Sequence, residues 1–88
     1  MTARRWVIRG RVQGVGYRDW MTREARRLGI DGWVRNLPDG SVEALVAAPD
    51  AALAALRAQC QRGPLLARVN AIAEHPASPP DTPGFTRR

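Results

Sequence analysis

With 88 residues the chain is expected to fold as one domain, residues 1–88, around a single core, and 44% hydrophobic against 25% charged residues is an ordinary balance for a soluble globule. No apolar run approaches the ~20 residues that span a bilayer, and one cysteine with one histidine argues against a zinc centre and rules out an intrachain disulfide. The net charge of +6 suits an anionic ligand but singles out none, because all fourteen basic residues are arginines scattered from Arg4 to Arg88. Arginine without lysine, beside abundant alanine, can also reflect coding bias alone. The N-terminus lacks the apolar stretch of a secretory signal, so the expected location is the cytoplasm.

In chain order, Arg5 to Val12 alternates, with Trp6, Ile8 and Val12 on one side and Arg9 and Arg11 on the other, which predicts a half-buried strand. A glycine-rich loop follows. From Asp19 to Leu28 an apolar stripe of Met21, Ala25 and Leu28 predicts a helix, served by Asp19 at its start and Gly29 at its C-terminal cap. Gly32–Leu37 reads as a second strand, Pro38-Asp39-Gly40 as a turn, and Ser41–Ala47 as the returning strand of a hairpin. Pro49-Asp50 opens a second helix with Asp50 as expected N-cap; Leu53, Leu56 and Cys60 are its buried stripe, and Gly63-Pro64 ends it. Ala67–Glu74 is a fourth strand held by Val69 and Ile72. Residues 76–83 form a Pro-rich loop, and Gly84-Phe85-Thr86 is a candidate short edge strand. The order βαββαβ predicts an α+β, ferredoxin-like sandwich, an antiparallel sheet with two helices on one face.

The loop carries the chemistry. Gly10-Arg11-Val12-Gln13-Gly14-Val15-Gly16-Tyr17-Arg18 sets three glycines and two arginines between a strand and a helix start. Glycine lets backbone N–H groups turn around an anion, and a helix N-terminus aims more of them the same way. Arg18 adds a planar, permanently charged fork that matches phosphate oxygens. The loop is neither a Walker loop, lacking Gly-Lys-Ser/Thr, nor a dinucleotide fingerprint, lacking its spacing. Its plainer reading is a tight connection that needs glycine for geometry.

Asn36 is the second candidate. Asparagine is disfavoured in strands, and this one either starts the Pro38 turn or uses its amide to position a water, accepting at the carbonyl and donating at the NH₂. It cannot ionise a nucleophile, so its contribution to chemistry would be placement. No carboxylate pair, catalytic dyad or triad accompanies it, and Cys60 at helical spacing reads as core.

Taken together, these segments resemble the acylphosphatase family. The run Gly10–Arg18 is similar to its signature loop, Leu28–Glu43 to its second motif, and Gly63-Pro64 with Ala67-Arg68-Val69 to the start of its fourth strand. The likeness covers about Trp6 to Ile72. It implies hydrolysis of the carboxyl–phosphate bond of a small acyl phosphate, with no metal or organic cofactor. Arg18 would bind the phosphate, Asn36 would orient the attacking water, and the backbone of Gln13, Gly14, Val15, Gly16, Tyr17 and Arg18 would form the cradle. Many members carry an aromatic residue where this chain has Gly16, and some a hydroxyl residue where it has Leu37.

Two other readings share the fold. One is a non-catalytic anion-binding module, like the acylphosphatase-like domain of larger hydrogenase-maturation proteins. The other is a nucleic-acid-binding domain, which usually displays two or three aromatics on its central strands. Here the strand aromatics are essentially Trp6 and Trp33, and the RNA-binding octapeptide is missing. The expectation is a monomeric enzyme with neither nucleic-acid nor membrane partner.

Overall fold

The computed structural model describes residues Met1–Arg88. Seven elements follow one another: β1 (Thr2–Arg11), α1 (Tyr17–Arg27), β2 (Asp31–Asn36), β3 (Val42–Ala48), α2 (Asp50–Arg62), β4 (Arg68–Pro76) and β5 (Phe85–Arg87). The strands form one sheet in the order β4-β1-β3-β2-β5. Both helices lie on one face, α1 over β2 and β5, α2 over β3 and β4. The predicted sandwich is observed with one correction: β5 runs parallel to β2, with Gly32 opposite Phe85 and Val34 opposite Arg87, so the sheet is mixed. The chain reaches that edge from Pro76 on the opposite one, and its direction there follows from the connection rather than from any local pattern.

Alternation decides which side chains meet the helices. Trp6 and Ile8 on β1, Val34 on β2, and Val42, Ala44, Val46 and Ala48 on β3 pack against Tyr17, Met21 and Ala25 of α1 and Leu53, Leu56 and Cys60 of α2. Leu28, Val69 and Ile72 are only partly buried against that core. Val69 and Ile72 face it together despite a spacing of three because the β1–β4 register shifts between Arg9 and Gly10. Arg9 pairs with Ala71 but Gly10 with Val69, which leaves Asn70 as the extra residue of a bulge.

Two helix starts differ from expectation. α1 begins at Tyr17, capped by Gly16 in the left-handed conformation, with no side-chain cap from Asp19. α2 is preceded by Pro49, and Asp50 is already helical; its carboxylate accepts a 2.5 Å hydrogen bond from the Thr2 hydroxyl instead of capping. Gly29 closes α1 as anticipated: its N–H donates to the Arg26 carbonyl at 3.2 Å and that of Ile30 to Ala25 at 2.9 Å. No helix is long and apolar enough to cross a membrane.

Candidate active site

Residues 12–16 leave β1 and turn directly into α1, so the loop sits where the first helical turn exposes its free amides. Gly14 and Gly16 both hold positive φ, 74° and 77°, and no other backbone or side chain lies within 4 Å of where a Cβ would stand. They are glycine because of backbone conformation, not crowding. The result is an unbroken run of unused donors. From Gln13 to Asp19 no backbone N–H donates to any group of the protein, and the first to do so is that of Trp20, to the Gly16 carbonyl at 3.1 Å.

The loop is tied to the hairpin by Gln13. Its side-chain Nε2 donates to the carbonyls of Leu37 at 2.8 Å and Ser41 at 2.9 Å. These two flank the turn between β2 and β3, so one amide holds the strand end that carries Asn36 against the glycine loop. On the turn itself Asp39 accepts from the Ser41 N–H at 2.9 Å and from its hydroxyl, with Arg9 Nη1 at 3.3 Å. The Ser41 bonds and the neighbouring Arg9 charge hold the Asp39 carboxyl below its ordinary value.

A cavity of about 190 Å³ opens between these parts, lined by Val12, Gln13, Gly14, Gly16, Tyr17, Arg18, Asp19, Asn36 and Arg87. Asn36 and Arg18 thus line one cavity although they lie on different elements. The Oδ1 of Asn36 is buried and has no hydrogen-bond partner, the only such side-chain atom in the protein. Arg18 is half-exposed, and its Nη1 donates to the Arg88 main-chain oxygen at 2.8 Å. The Arg88 N–H in turn donates to Val34 at 2.8 Å, which anchors the end of β5 beside β2.

Of the residues singled out in the sequence, Gln13, Gly14, Gly16, Tyr17, Arg18 and Asn36 all reach this cavity. Val15 does not line it; its side chain packs against the hydrophobic core, so only its backbone is turned to the loop's use. The Tyr17 ring is also core, and its hydroxyl donates to the Cys60 carbonyl at 2.7 Å. Burial pushes the Tyr17 hydroxyl far above its ordinary pKa and the Cys60 thiol up to about 12. Neither group ionises near neutrality, as a core role requires. Arg35 on β2 is exposed, yet it also pairs with buried Glu43 at 2.6 Å and stacks 5.1 Å above Trp33.

Asp19 and Arg87 were missed as pocket residues. Asp19 reads as a helix-start acid, and Arg87 falls one residue past the predicted edge strand. No local pattern signals that β5 returns beside the glycine loop.

The acylphosphatase family profile matches residues 4–86. The chain belongs to the acylphosphatase family. It is 53% identical over 88 residues to the acylphosphatase of Acidiphilium cryptum, covering 100% of this chain and 97% of that one. The crystal structure of acylphosphatase from Bacillus subtilis superposes with a TM-score of 0.93 at 31% identity, covering 100% and 99% of the two chains. A domain of T.kodakarensis HypF is also similar, with a TM-score of 0.87 and 28% identity, but this chain spans only 12% of that far longer protein. The enzyme is thus related along its whole length to free-standing acylphosphatases.

Proposed function

We propose that this acyl phosphate hydrolase acts by gripping the phosphoryl group in the glycine loop and placing a water with Asn36. The reaction cleaves the carboxyl–phosphate bond and releases a carboxylate and inorganic phosphate. The carboxylate is a good leaving group, so the chemistry needs little acid assistance. What it needs is a held phosphoryl group, neutralised oxygens and a water in line with the scissile bond.

The loop suits the first two needs. The free N–H groups of the loop from Gln13 to Arg18 are available as donors to phosphoryl oxygens, and the α1 N-terminus favours negative charge there. Arg18 adds a full charge and a fork. The single observation that carries the third is the Asn36 Oδ1, buried without a partner in a residue that lines the same cavity as Arg18. Leaving such an acceptor unpaired costs about 1–3 kcal/mol. A water donating to it recovers that cost and is held for attack.

The water oxygen bonds to phosphorus as the bond from phosphorus to the carboxylate oxygen breaks. The bonding pair leaves with the carboxylate, and the water proton passes to a phosphoryl oxygen of the substrate, which removes the need for a protein base. No three His, Cys, Asp or Glu side chains gather as metal ligands, and the reaction as written calls for none. We place the enzyme in the cytoplasm, acting as a monomer.

The test is turnover of benzoyl phosphate at neutral pH with a chelator present. Hydrolysis should persist, and Arg18→Ala should lower its rate by at least ~10²-fold while weakening inhibition by inorganic phosphate. Full activity in that variant, or loss of wild-type activity on chelation, would contradict the proposal.

A further inference from the structure

The cavity is lined by more charge than this mechanism uses. Asp19 follows Arg18 directly and shares its wall of the pocket. A carboxylate there opposes binding of a phosphoryl dianion, because like charges a few ångströms apart repel. Arg87 answers it. Opposite Val34 in the β2–β5 register, Arg87 leaves the sheet on the face covered by α1, the same face as Asn36 two residues further along β2. Its Nε stands 2.9 Å from the Asp19 Oδ1, and both residues line the cavity. The pair is wet, with side-chain exposures of 47% for Arg87 and 60% for Asp19. One carboxylate does not exhaust the five donors of a guanidinium.

We propose that Arg87 is a second anion-binding residue of the site: paired with Asp19, it cancels the carboxylate that would repel substrate and offers its remaining donors to the phosphoryl oxygens. Asp19 is then a counter-ion that moderates the grip. A pocket with both Arg18 and Arg87 unopposed would hold the product phosphate as well as the substrate, and binding both tightly slows release without helping the chemical step.

The proposal rests on the reading of this pocket as the phosphoryl site. Inorganic phosphate, as a competitive inhibitor of benzoyl phosphate hydrolysis at low ionic strength, is the probe. Arg87→Ala should raise its inhibition constant about five- to tenfold, and Asp19→Asn should lower it about two- to fivefold, the scale of one partly screened charge. Arg87→Lys should fall between wild type and Arg87→Ala, and the double variant should recover much of the loss. Raising the salt should compress all of these differences. A purely structural ion pair would shift the melting temperature while moving phosphate affinity in the same direction in both single variants. That result, or no change in Asp19→Asn, would overturn the proposal. Arg18→Ala is the control: if it too leaves phosphate inhibition unchanged, the pocket itself is misread. If Arg18→Ala alone weakens inhibition, only the role given to Arg87 falls.

Discussion

Two residues show how differently the same kind of polar side chain is employed. Asn36 keeps a buried acceptor unpaired, while Asp39, a few positions on, has its carboxylate bonded to the Ser41 hydroxyl and N–H and to Arg9. The Asp39 bonds have a consequence for acid stability. They lower its pKa in the folded chain below the ordinary 3.8, with the Ser41 bonds the largest cause. A group depressed by folding stabilises the fold when ionised. That contribution is complete above the ordinary value and lost as pH falls through the depressed one. Asp39→Asn should therefore flatten the acid limb of stability below about pH 4, measured by denaturant unfolding between pH 2 and pH 7. An unchanged slope would show that the turn contacts carry no linkage. None of this was legible beforehand, since Pro38-Asp39-Gly40 announces a turn but not which donors will reach its acid.

At the scale of elements, the site depends on three segments meeting: the loop before α1, the end of β2, and the end of β5. The first two were readable. Glycines, a terminal arginine and a following helical stripe marked the loop, and alternation broken by an asparagine before Pro38 marked the strand end. Their mutual placement was not readable from either segment alone, because it is made by a long-range clasp, Gln13 to Leu37 and Ser41. The sequence reading assigned Gln13 a backbone role, and its side chain holds the hairpin as well. Replacing it by leucine removes two hydrogen bonds worth about 1 kcal/mol each and frees the hairpin to shift. Gln13→Leu should lower the stability by about 1–3 kcal/mol and the turnover by about tenfold, since small displacements of positioning groups cost rate steeply. Stability lost with turnover intact would mean that the clasp serves the fold only. The third segment, β5, was anticipated as a short edge strand, but its parallel direction and the placement of Arg87 at the pocket came from tertiary structure alone.

Over the whole molecule, the surplus of arginine is partly absorbed by sharing acids. Glu43 takes both Arg5 and Arg35, and Glu74 takes both Arg4 and Arg57. Arg18 and Arg87 differ from these in facing the cavity. The positive charge, which by itself singles out no ligand, thus includes both surface pairs and two arginines at a cavity formed where the βαββαβ order folds the first loop against the hairpin. In the proposed division of labour, the loop and Arg18 hold the phosphoryl group and Asn36 places the water. Turnover and phosphate inhibition measured side by side in Asn36→Ala test it most directly. The expected result is a fall in kcat of ~10²–10³-fold, the usual cost of losing one preorganised polar group, with the inhibition constant for phosphate within about twofold of wild type. Wild-type turnover in that variant, or a loss of phosphate affinity matching the loss of rate, would contradict it.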